Sequence, residues 1–97
     1  MKIFVSYTQN DGIVTVEKLL FIKNFLSKKH HVFIHAIESK NKEIGQSRVI
    51  DELLVSDVVL LLYSEGCLKS KWVILEIEIS NLLNIPIVSV DAKKILP

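Results

Sequence analysis

Apolar residues in this chain arrive in short bursts separated by polar turns, and the period of the bursts changes along the sequence. Residues 2–7, "KIFVSY", are rich in β-branched and aromatic side chains and predict a short buried strand. "NDG" at 10–12 marks a turn. Residues 14–27 then predict a helix with Leu19, Ile22 and Leu26 on one face. Phe21 and Phe25 form a second apolar ridge, so the helix is expected to be covered on two sides. "HVFIHA" at 31–36 reads as a second strand and "ESKNKE" at 38–43 as a polar loop. After Gly45 the period returns to helical, with Val49, Ile50, Leu53 and Leu54 inward and Arg48, Asp51 and Glu52 outward.

Residues 57–64, "DVVLLLYS", are apolar almost without a break, as expected of a central parallel strand covered on both faces. A loop, "EGCLK", leads to a helix with Ser70 as N-cap and Asn84 as stop, and "IPIVSV" at 85–90 is a fourth strand. Strand and helix alternate from end to end. That alternation predicts an α/β fold, a parallel sheet with helices on both faces joined by right-handed crossovers. Ligands of such sheets bind beyond the carboxyl ends of the strands, here the loops "TQNDG", "IESKNKEIG" and "SEGCLKS".

Composition narrows the classes. With 97 residues the chain reads as one domain, 1–97. Twelve basic and eleven acidic side chains leave a net charge of +1, which gives no electrostatic reason to expect nucleic acid or a membrane surface as partner. A single cysteine, Cys67, excludes an internal disulfide and fits a reducing, cytoplasmic setting. No secretion signal is visible, and no apolar stretch reaches the roughly 18 residues that a membrane span needs. His30, His31 and His35 have no metal-ligand spacing, Cys67 has no base beside it in sequence, and neither common phosphate-binding glycine loop occurs.

One carboxylate stands out. In "SKWVILEIEIS" at 70–80, Glu76 lies about 40° around the helix from Trp72, and Ser80 lies about 40° further on. Glu76 and Ser80 thus form a narrow polar stripe, flanked by Trp72 and Leu83 on one side and Val73 and Ile77 on the other. A carboxylate among apolar neighbours is costly to desolvate, and such groups concentrate where a protein handles charge. Spacing alone leaves two readings open: a functional group in a cleft, or a rim carboxylate that reaches water.

Taken in order, several segments resemble the TIR family, in particular the compact TIR-like proteins of bacterial defence systems. "IFVSY" resembles the family's opening strand, and "VFIHAIESKNKEIG" its second strand and following loop. "VIDELLVSDVVLLLYS" resembles its second helix and third strand, and "SKWVILEIEISNLLNIPIVSV" its Ser-x-Trp-Val-x-x-Glu helix and next strand. The resemblance implies a flavodoxin-like three-layer sandwich with four parallel strands in the order 2-1-3-4, a shortened TIR fold. It also implies an activity: hydrolysis of NAD at the nicotinamide–ribose bond, or cyclisation to a signalling nucleotide, with NAD as substrate and no cofactor.

By that resemblance Glu76 is the catalytic carboxylate, stabilising the oxocarbenium-like charge that develops on the ribose. Ser6 and Tyr7 match positions that line the substrate pocket, and Trp72 walls it, with core filler as the alternative. Ser64 presents its hydroxyl at the third strand's end or caps a turn. Asp11 is a weaker substrate-binding candidate beside its reading as a turn former. The loop at 37–45 is expected to close over the nucleotide, with Gly45 as hinge or helix start.

Three positions depart from the family pattern. His35 stands where many members have aspartate, and it reads as a packed or hydrogen-bonding side chain. Thr8 and Gln9 stand where some active members carry arginine. No segment matching the last strand and helix of a full TIR domain follows the fourth strand, which would leave an edge strand and an apolar sheet face; the expectation is either that this is a fragment or that a second chain covers them. The expected partners are a nucleotide and another copy or another TIR-containing chain. Two other functions remain open: a non-catalytic TIR interaction module, and a nucleoside deoxyribosyltransferase-like enzyme.

Overall fold

The computed structural model describes residues 1–39 and 45–95. Four strands form one all-parallel sheet in the order β2-β1-β3-β4, the arrangement of a flavodoxin-like α/β sandwich. The strands are β1 (Lys2–Ser6), β2 (His31–Phe33), β3 (Val58–Tyr63) and β4 (Ile87–Asp91). β1 lies inside the sheet, with Val5 opposite Leu60 of β3 and Ile3 opposite Val32 of β2. β4 is an edge, pairing Leu60 with Val88 and Leu62 with Val90.

The helices are α1 (Val16–Leu26), a single turn α2 (His35–Glu38), α3 (Gln46–Leu54) and α4 (Lys71–Leu82). Thr15 caps α1 by accepting from Lys18 N, and Ser70 caps α4 by accepting from Val73 N. Gly45 is the residue at which α3 starts. α4 stops at Asn84, whose φ of 58° places it in the left-handed region that ends helices.

Alternation along the strands sends side chains to two cores. Ile3, Val5 and Leu62 pack with Leu19 and Ile22 of α1. On the other face, Phe4, Phe33 and Val59 pack with Val49 and Leu53 of α3 and with Trp72 of α4. Phe4 and Phe33 stack across β1 and β2 with centroids 5.6 Å apart. One helix thus covers one face of the sheet and two cover the other.

Several boundaries and faces differ from the sequence reading. The second strand stops at Phe33 instead of Ala36, and Glu38 belongs to α2 instead of a loop. Tyr7 lies just past the end of β1. Phe21 and Phe25 are not covered, being 44% and 65% exposed, because α1 packs towards β1 and β2 and leaves its second ridge over the open half of the sheet. Leu54, expected inward, is 48% exposed at the last position of α3. The stretch "EGCLK" contains a 3-10 turn, Cys67–Lys69, in which Cys67 is fully buried. Among the described residues no helix is long and apolar enough to cross a membrane.

Candidate active site

α4 begins beside the carboxyl ends of β1 and β3 and runs back beneath the sheet. Its buried face consists of Val73, Glu76 and Ser80. Ser80 satisfies its hydroxyl within the helix, donating to Glu76 O at 2.7 Å. Leu83, expected on the same flank as Trp72, is instead exposed at the helix end.

Glu76 does not reach for water along the rim. Its residue is 3% exposed, and its Oε1 accepts a hydrogen bond of 2.7 Å from Ser6 Oγ at the end of β1. Burial raises its pKa to about 7, and the Ser6 hydroxyl, which favours the charged form, offsets only part of that. Near neutral pH the side chain therefore exchanges readily between acid and carboxylate, the condition of a group that handles protons or faces a transient cation.

Glu76 lines a cleft of about 260 Å³ at the carboxyl end of the sheet, where ligands of such folds bind. Tyr7, Thr8, Gln9 and Asn10 from the β1–α1 loop form one wall, and His35, Ser70 and Trp72 form the others. Trp72 plays both parts foreseen for it, since it packs on the Phe4–Phe33 core and also walls the cleft. Tyr7 lines the cleft with its ring while its Oη accepts from Ala36 N at 2.9 Å, tethering α2. Burial raises the Tyr7 pKa, so its phenol stays protonated at neutral pH. Lys23 ties the same segment to α1, donating to Val32 O and pairing with Glu38 at 2.7 Å.

The remaining candidates fall outside this cleft. Ser6 is 1% exposed and acts behind Glu76 rather than at the surface of the hollow. Asp11 lines the adjoining hollow, with Glu65, Gly66 and Lys69. Its Oδ1 accepts from Ile13 N at 3.1 Å, and its Oδ2 accepts from Gly66 N at 2.7 Å, so it both forms its turn and straps the β1–α1 loop to the β3–α4 loop. The neighbouring Ser64 hydroxyl and these two amides hold its carboxyl below the usual range. Ser64 itself is 3% exposed, and its Oγ makes no hydrogen bond of ordinary geometry. Residues 40–44, most of the loop expected to close over a nucleotide, lie outside the described residues.

Sequence reasoning did not place Asn10 or His35 in the site, and it missed the part played by two further residues. Ser70 lines the cleft as well as capping α4, and Gly66 admits the Asp11 strap: a Cβ there would stand 2.9 Å from Asp11 Oδ2. The second was readable only as a turn glycine, because its partner lies 55 positions away. Among the described residues no group of three His, Cys, Asp or Glu side chains is placed to hold a metal ion. No family model, no curated protein and no solved structure matches the chain.

Proposed function

We propose that this chain is a TIR-like enzyme that breaks the bond between nicotinamide and ribose in NAD or a related nucleotide. One observation carries the reading: a buried carboxyl with a pKa of about 7 lines a cleft at the carboxyl ends of parallel strands. In the reaction the C1′–N bond breaks, and nicotinamide leaves with the electron pair and becomes neutral. Positive charge moves onto the ribose, where ionised Glu76 stabilises it. Water, or a hydroxyl of the same nucleotide in a cyclisation, then bonds to C1′ and gives up its proton, which the carboxylate can accept. The cleft is below the usual size of a pocket for a whole drug-sized ligand, so it takes the nicotinamide riboside end while the rest of the dinucleotide extends outside.

The test is nucleotide consumption with product identification by mass spectrometry, over a wide range of protein concentration. The wild type should release nicotinamide, and Glu76→Gln should lose activity by at least about 100-fold, as when a single transition-state-stabilising group is removed. Equal rates would remove the assignment. A second reading, a non-catalytic TIR interaction module, is favoured by the exposed apolar residues on α1 and β4. It requires association that survives Glu76→Gln and no turnover at any concentration. Deoxynucleosides belong in the assay too, because a cleft with room for one nucleoside also suits base exchange.

A further inference from the structure

Two side chains lining the Glu76 cleft, Gln9 and Asn10, are primary amides, each with donor and acceptor on one planar group. Both residues are exposed, and neither side chain has a hydrogen-bond partner among the described residues. The backbone beneath them is fixed. Asn10 N donates to Thr8 Oγ1 at 3.3 Å, and Gly12 N donates to Gln9 O at 3.2 Å. The β1–α1 loop thus holds its turn while the two amides stay available to a ligand.

The rest of the lining suits a flat ring without negative charge. Tyr7 and Trp72 give the cleft aromatic walls, against which a planar heterocycle can stack. Glu76 lies in the same cleft and is partly ionised near neutral pH, so an anionic substituent on the ring would meet a like charge. No lysine or arginine is among the described lining residues. His35, the one lining group that can become cationic, already has an interaction of its own.

We propose that Gln9 and Asn10 determine which leaving ring the site accepts, pairing with a carboxamide substituent and rejecting a carboxylate. The assignment rests on the glycosidase reading, since it concerns the ring that departs. A carboxamide offers donors and an acceptor in one plane, and a pair of primary amides answers both. A carboxylate offers acceptors alone. It leaves the amide carbonyls without a donor, and its charge stands beside the Glu76 carboxylate. The ribose hydroxyls are served by the Glu76 carboxyl and the Ser70 hydroxyl in the same cleft, which leaves the amides for the ring. The site therefore discriminates between the dinucleotides of nicotinamide and of nicotinic acid, in favour of the first.

Steady-state kinetics with NAD and with nicotinic acid adenine dinucleotide test the proposal, together with titrations of Trp72 emission by free nicotinamide and free nicotinate. The wild type should favour NAD by about 100-fold in kcat/KM, the equivalent of two hydrogen bonds at about tenfold each. Gln9→Ala and Asn10→Ala should each narrow that preference by about tenfold. Asn10→Lys supplies a cation for a carboxylate, so it should raise kcat/KM for the nicotinic acid substrate and lower it for NAD. A damaged fold would lower both, so movement in opposite directions isolates recognition. Free nicotinamide should quench Trp72 at concentrations where nicotinate does not, and Asn10→Lys should reverse that order. Turnover with equal kcat/KM for the two dinucleotides would overturn the proposal and leave the glycosidase reading standing. No turnover, with nicotinamide still bound in preference to nicotinate, would remove the glycosidase and support the ring assignment. Two rings bound alike, or neither bound, would overturn that assignment.

Discussion

Ser6 Oγ donates to Glu76 Oε1 at 2.7 Å, joining the end of the first strand to the middle of the last helix across 70 positions of sequence. The distance is the ordinary one for a hydroxyl donating to a carboxyl oxygen. It gives the buried carboxyl a hydrogen-bond partner within the protein, and it fixes which oxygen is engaged.

Glu76→Gln should stabilise the fold at alkaline pH. The Glu76 pKa is raised from 4.5 to about 7 by burial, so its favourable contribution is complete below about 4.5 and is lost as pH rises through 7. The full difference corresponds to about 3 kcal/mol. Glutamine has no proton to lose and can still accept from Ser6. Urea titrations at pH 5 and pH 8 should show the wild type losing stability between them while the variant stays level. Parallel pH profiles would refute the assignment of a shifted carboxyl.

Ser6→Ala removes the hydroxyl that favours the charged form, so the Glu76 pKa should move higher still. The acid limb of the pH–rate profile should move upward with it, and stability at pH 8 should fall by about 2 kcal/mol. The carboxyl carbon resonance of Glu76 reports the same titration without requiring turnover, and an unmoved midpoint would exclude Ser6 as its partner.

Gly66→Ala should break the strap between the two loops. The new Cβ would meet Asp11 Oδ2 at 2.9 Å and force that carboxylate off the Gly66 amide. A lower Tm follows, because the Gly66 amide loses its acceptor. Starting from Asp11→Gly, which removes the Cβ that would stand 3.0 Å away as well as the carboxylate, the same change should cost less, and a double-mutant cycle measures the coupling. Additive losses would mean that the two residues do not act together.

Trp72 is the chain's one tryptophan, and it forms a wall of the cleft. Its emission should therefore change on titration with a nucleotide that occupies the cleft, whether or not the bond is cleaved. Saturable quenching by nicotinamide nucleotides in Glu76→Gln is the expected result. An unresponsive signal, with turnover also absent, would leave the cleft without this ligand.

Much of this arrangement was legible because period and burial agree locally. The uninterrupted run at 57–64 read as a central strand and forms β3, although the cover expected on both its faces is incomplete, with Leu60 lining an open groove; Ser70 and Asn84 marked both ends of α4. Errors fell where a distant partner decides. "HVFIHA" reads as one strand because Ile34 is buried like its neighbours. The turn of helix after it is held by Tyr7 Oη on Ala36 N, a contact that no local pattern encodes. Spacing could not choose between a rim and a buried Glu76, since the choice depends on Ser6. The Phe21–Phe25 ridge looked covered because its periodicity is that of a core. Periodicity reports an apolar face, and it is silent on whether anything lies over that face.

The central place of β1 has a consequence for how the chain is made. Its residues leave the ribosome before those of either neighbour, and the second neighbour, β3, is synthesised more than fifty positions later. Until then one edge of β1 has nothing to bond with, and the Lys2 amide waits likewise for the Asp57 carboxylate that caps it. Every strand pairing in this sheet spans a long stretch of chain, a topology associated with slow folding and with late commitment of the nascent polypeptide.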